Sequence, residues 1–134
     1  MAKEHTKDLL LDFGPDGRGL VPVVTQDSRT REVLILAFAN REAFEETRRS
    51  GYATYWSRSR NELWKKGLTS GDMLRVDEIR VNCEQNSLLV LVTPQGKGAC
   101  HAKRPDGSPY PSCYYRRLDP DGTLAPVETG SPRS

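Results

Sequence analysis

Residues 73–92 read MLRVDEIRVNCEQNSLLVLV, and this stretch decides the fold. Apolar residues recur at alternate positions through 73–83, the period of a strand that buries one face. EQNS at 84–87 is turn-like, and LLVLV at 88–92 returns as a core strand. The segment therefore predicts an antiparallel hairpin with a thiol at its corner. On strand alternation, Cys83 points to one side and Asn82, Glu84 and Asn86 to the other.

The rest of the chain follows the same grammar. VPVVT (21–25) and VLILAF (33–38), the latter well buried, predict a second hairpin across the turn QDSRTRE, with Pro22 marking its first strand as an edge. Asn40 stands as the N-cap of a short helix from Arg41 to Arg49. Glu42 lies in its first turn, Arg48 and Arg49 in its last, and Gly51 stops it. Ala43, Phe44 and Thr47 form the inner stripe. YATYWS (52–57) predicts a strand rich in aromatic residues. Residues 58–72 read as a long, partly helical connection, and 94–111 as a Pro/Gly-rich loop of the length usually reserved for function. SCYYRRL (112–118) predicts a strand opened by Cys113, and TLAPV (123–127) a weak final one. The expectation is an α+β fold, mostly antiparallel β with one short helix. It comprises an N-terminal segment at 1–18, one compact domain at 19–118, and a strand with a flexible tail at 119–134.

Composition narrows the function classes. A chain of 134 residues forms one domain with a real core. No apolar run approaches the roughly 20 residues that cross a bilayer. The N-terminus has no signal-type apolar stretch, so a cytoplasmic protein without a membrane partner is expected. A net charge of +2 is too small to argue for nucleic acid. Three cysteines, an odd number, argue against a disulfide framework.

Three stretches carry possible chemistry. Cys83, Cys100 and Cys113 are soft donors, and three thiolates around zinc leave a fourth position for water; unrelated buried thiols are the alternative. His101, next to Cys100, either completes a structural Cys₃His site or acts as a base or substrate contact; adjacent residues rarely bind one metal through both side chains, which favours the latter. Asn82, Glu84 and Asn86 offer oxygens of the kind Mg²⁺ prefers, with only one formal charge among them; ordinary turn chemistry is the alternative. Residues 55–71, YWSRSRNELWKKGLTSG, mix indoles, cations and a Gly-flanked turn, as a phosphorylated aromatic ligand would require. The candidates there are Trp56, Ser57, Arg58, Arg60, Lys65, Lys66, Thr69, Ser70 and Gly71. Core tryptophans flanked by solvated charges are the alternative.

Taken in order, VLILAFANREAF (33–44), TYWSRSRNELWKKGLTSG (54–71), EIRVNCEQNSLLVLV (78–92), GACH (98–101) and SCYYRR (112–117) resemble the phosphoribosyl-AMP cyclohydrolase family of histidine biosynthesis. The resemblance runs from about Gly19 to Arg117. It implies an intertwined homodimer with zinc held by Cys83, Cys100 and Cys113 across the interface. It also implies Mg²⁺ beside the first cysteine and hydrolysis by zinc-bound hydroxide. Water adds at C6 of the adenine ring of 1-(5-phosphoribosyl)-AMP, and the N1–C6 bond breaks. Two departures stand out. The family usually places aspartates where this chain has Asn82, Glu84 and Asn86. AKRPDGSPYPS lengthens the link between the last two cysteines. A paralogue acting on a related purine nucleotide and a catalytically silent zinc-binding dimer are the alternatives that these departures leave.

Overall fold

The computed structural model describes residues 3–68, 70–100 and 102–127. Among these residues, eight strands and one α-helix follow in the order β1 (Val21–Asp27), β2 (Val33–Ala39), α1 (Arg41–Ser50), β3 (Thr54–Ser57), β4 (Glu62–Lys65), β5 (Leu74–Val81), β6 (Leu88–Pro94), β7 (Arg116–Leu118) and β8 (Leu124–Pro126). The α+β class expected from the sequence is correct. Both hairpins form: β1 pairs antiparallel with β2, and β5 with β6.

The hairpins join along β1 and β6, which run parallel, giving the sheet order β2-β1-β6-β5. A parallel pair needs a long crossover, and α1 with β3 and β4 supplies it. This makes β1 an interior strand, against the edge position that Pro22 suggested. The ladder to β6 begins at Val23. Pro22 thus sits at the strand's end, where β2 is its only neighbour and no bond to β6 is lost.

The core lies between this sheet and α1. Val21, Val23, Leu88, Val90 and Val92 turn inward and share one buried cluster with Ala43 and Phe44 of the helix. Asn40 Oδ1 accepts the Ala43 N–H at 2.8 Å, and Gly51, at φ 79°, donates its N–H to Thr47 O at 3.0 Å. The helix is thus capped at both ends, as its sequence predicts. Leu11 and Phe13, upstream of Gly19, also lie in the core, and the Phe13 ring packs 6.0 Å from that of Phe44.

Three local readings differ from expectation. Residues 58–72 hold β4 instead of helix. Asn61 takes a left-handed φ of 54°, which closes a hairpin, and Tyr55 and Trp64 face each other across it. The strand after Cys113 starts only at Arg116, because Ser112 Oγ donates to Val33 O (2.5 Å) and Cys113 N to Leu34 O (2.8 Å). These bonds take the backbone to β2 in place of a ladder. Finally, β2 is not fully buried: Val33 and Leu36 are exposed on its outer side.

Candidate metal and nucleotide site

The 94–111 loop brings two cysteines together. Ala99 N donates to Pro111 O and Cys100 N to Tyr110 O, both at 3.1 Å; Arg104 N donates to Ser108 O at 2.8 Å. AKRPDGSPYPS therefore folds back on itself as a small hairpin, with Gly107 at its tip. Gly98 permits the close approach, since a Cβ there would lie 2.5 Å from Tyr110 O. Cys100 is buried on one side of this hairpin, and half-buried Cys113 is pinned to β2 on the other. The two thiols face each other. Burial, then the neighbouring Cys100, pushes the Cys113 thiol up to about 12. Ala102 N donates to Cys100 Sγ at 3.4 Å.

Lys66 sits beside this pair and is only 6% exposed. Successive residues at the end of β4 face opposite ways, so Lys65 and Lys66 part company. Lys65 Nζ approaches Glu46 of α1 at 3.9 Å, whereas Lys66 lies over the Trp64 ring at 5.7 Å. Burial lowers the Lys66 pKa, while the nearby Cys113, Asp72 and Cys100 raise it. Asp72 also braces the neighbouring turn, as its Oδ1 accepts the Lys97 N–H at 2.9 Å. Gly67, at φ +78°, is held so tightly that a Cβ would fall 2.1 Å from the Asp72 carbonyl carbon.

The other expected ligand-binding residues are spread along the β3–β4 hairpin. Trp56 and Arg58 line a shallow cleft with Leu36, Phe38 and Trp64. The Arg58 guanidinium stacks 3.9 Å from the Phe38 ring centre. Ser57 Oγ accepts the Arg60 N–H at 3.3 Å, and Arg60 pairs with Glu62 at 3.6 Å. Ser70 Oγ accepts the Asp72 N–H at 3.3 Å, and Gly71 N donates to Gly67 O at 2.8 Å. Thr69 and His101 lie outside the described residues.

Cys83 stands apart. β5 ends at Val81, so the strand alternation expected for Asn82, Cys83, Glu84 and Asn86 stops before it reaches them. Asn82 O accepts the Gln85 N–H at 2.9 Å, which bends the chain into a turn with Cys83 exposed on it. Asn82 Oδ1 accepts the N–H groups of Asn86 (2.9 Å) and Ser87 (3.0 Å), and Asn82 Nδ2 donates to Asn86 Oδ1 (2.6 Å). Both amide oxygens are engaged within the turn, which leaves the Glu84 carboxylate as the row's one charged oxygen donor toward Mg²⁺.

The sulfur donors fit zinc in chemistry. Cys100 and Cys113 provide two adjacent soft ligands with Lys66 close by. Among the described residues of one chain, no group of three His, Cys, Asp or Glu gathers as a metal site. Sequence reasoning missed Ser112, Asp72 and Gln85, which place the functional loops. Their partners lie far along the chain, and no local spacing announces them.

Comparison with known proteins agrees with the pattern of motifs. The family model described as phosphoribosyl-AMP cyclohydrolase matches residues 35–115. The chain is similar to the phosphoribosyl-AMP cyclohydrolase of Archaeoglobus fulgidus, 54% identical over 106 residues that cover 79% of this chain and 92% of that one. Its similarity to the Methanospirillum hungatei enzyme of the same name is 52% over 110 residues, covering 82% and 77% of the two chains. For the Halobacterium salinarum enzyme it is 50% over 119 residues, covering 85% and 87%. With the motifs in order, the paired thiols in place and identity at this level over most of its length, the chain belongs to the phosphoribosyl-AMP cyclohydrolase family.

Proposed function

We infer that this chain hydrolyses the adenine ring of 1-(5-phosphoribosyl)-AMP in histidine biosynthesis, as a homodimer with zinc held between its subunits. The observation that carries the reading is the meeting of Cys100 and Cys113 beside buried Lys66, inside the segment that matches the family. Two thiols from one chain leave a tetrahedral site incomplete. Cys83, exposed on its turn, is presented outward to a second copy. Exposed Val33 and Leu36 on β2 give that copy an apolar surface to cover.

Bound zinc would supply a Lewis-acidic centre that makes a water nucleophilic near neutral pH. The chain's own groups do the rest. Cys100, Cys113 and the partner's Cys83 would hold the metal, and Lys66 would offset the negative charge that thiolates bring to a partly buried site. Trp56 would offer a flat face to the base, and Arg58, Arg60, Lys65, Thr69, Ser70 and Gly71 are the residues proposed to contact ribose and phosphates. Water adds at C6, the N1–C6 bond breaks, and N1 takes up a proton delivered by His101. No step is assigned to Mg²⁺.

Purified protein loaded with Zn²⁺ and given phosphoribosyl-AMP, followed by ultraviolet absorbance, tests this. The expected result is ring opening that is lost in Cys113→Ser and severely slowed in His101→Ala, with substrate binding retained in the latter. Full zinc loading with no turnover would refute the reading and identify a silent zinc-binding relative.

A further inference from the structure

We propose that three amide side chains, Asn82, Gln85 and Asn86, lock the turn that carries Cys83 and tie it to the N-terminal segment, positioning the thiol without a cation. The proposal rests on Cys83 being a metal ligand only for its functional consequence; the lock is a property of the turn.

Within the turn, the two asparagines are complementary. The Asn82 amide nitrogen donates to Asn86 Oδ1 (2.6 Å), and Asn82 Oδ1 receives the N–H groups of Asn86 and Ser87. Two carboxylates in the same places would set oxygen against oxygen and would need a cation or a shared proton between them. Amides need neither, because each carries its own donor and acceptor.

Gln85 extends the lock outward. Its side chain is buried in an otherwise exposed turn, and its backbone takes a left-handed φ of 53°. A non-glycine residue holds that conformation only when its surroundings enforce it. The surroundings here are the N-terminal backbone, some 75 or more positions away in sequence. Gln85 Oε1 accepts the Leu10 N–H at 2.5 Å, and Nε2 donates to Asp8 O at 3.1 Å and Lys3 O at 3.4 Å. Directly beyond Leu10, Leu11 and Phe13 enter the core. Force therefore runs from the core through the N-terminal segment and Gln85 to the turn, and so to Cys83. Gln85 is a positioning residue: it acts on the metal site through Cys83.

Amide hydrogen exchange on the full chain tests the lock directly. In the natural protein, the N–H groups of Leu10, Asn86 and Ser87 should exchange slowly, at the same rate in EDTA and in millimolar MgCl₂. Gln85→Ala should speed exchange at Leu10 about tenfold or more. It should also accelerate exchange at Asn86 and Ser87, and weaken zinc binding in a chelator competition by about tenfold. Gln85→Glu keeps the acceptor for Leu10 but not the donor for Asp8 and Lys3, and should fall between the two. Asn82→Asp/Asn86→Asp should lose protection at Asn86 and Ser87 in EDTA and recover it on adding MgCl₂. Exchange at Asn86 and Ser87 unchanged in Gln85→Ala, or protection of the natural turn that rises with Mg²⁺, would overturn the proposal. Cys83→Ser with undiminished zinc stoichiometry would instead remove Cys83 from the metal site and leave the exchange results to judge the lock.

Discussion

Replacing Tyr55 by Phe removes one oxygen atom and probes how the β3–β4 hairpin is fastened to the main sheet. Tyr55 Oη lies 2.7 Å from Thr25 Oγ1 in the middle of β1. Thr25 is fully buried and Tyr55 is 1% exposed, so water cannot replace the lost partner. Burial also pushes the phenol well above its ordinary range, so the hydroxyl stays neutral throughout any practical pH. Tyr55→Phe leaves Thr25 with a buried, unmatched hydroxyl, which costs about 1–3 kcal/mol. Thr25→Val strands the Tyr55 hydroxyl at a similar cost of roughly 1–3 kcal/mol. The double variant removes both polar groups, so its loss should fall short of the sum by about 1–2 kcal/mol. Equilibrium urea unfolding at one protein concentration and one zinc load measures all four species. The midpoint should shift while its slope stays constant. A Tyr55→Phe loss below about 0.5 kcal/mol, or strict additivity in the cycle, would refute the claim that this bond fastens the hairpin.

Other outcomes follow from the same geometry. Lys66→Met removes the cation beside the thiols while keeping most of the buried stem. Zinc binding measured against a chelator should weaken about tenfold with little change in melting, and Lys66→Arg should restore part of it. Gly67→Ala forces a methyl group onto the Asp72 backbone at positive φ, and thermal unfolding should show a loss above about 2 kcal/mol. Asp77 accepts hydrogen bonds from Thr93 (2.6 Å) and Ser28 (2.7 Å), which hold its carboxyl below the ordinary 3.8. Its folded pKa is depressed, so the stability it contributes is present above pH 3.8 and disappears as pH falls through the folded value. Asp77→Asn should therefore flatten the stability profile in that acid window, read by circular dichroism.

Much of this architecture is legible along the chain. Asn40 and Gly51 bracket the helix because a cap needs only neighbours within one turn, and the hairpins of 21–38 and 73–92 announce themselves through alternation across a short reversal. The resemblance to the cyclohydrolase family rests on motifs of the same local kind. β4 was missed because the positive φ at Asn61 lies in a run of polar residues with no Gly or Pro to signal a turn. Pro22 misled because a proline at a strand's first positions is compatible with an interior strand whose second ladder begins one residue later.

The covalent order of residues established the helix and its caps, both hairpins, the family and the set of candidate ligands. Folding in three dimensions established which of those ligands meet: Cys100 finds Cys113 through the closed 98–111 hairpin, Lys66 turns inward while Lys65 turns out, and Gln85 reaches back to Leu10. The division has a physical origin. Dihedral preferences and caps act over a few residues, whereas a thiol–thiol contact, a buried ammonium and an amide tether depend on backbone groups tens of positions away, which only the packed chain brings within hydrogen-bonding reach.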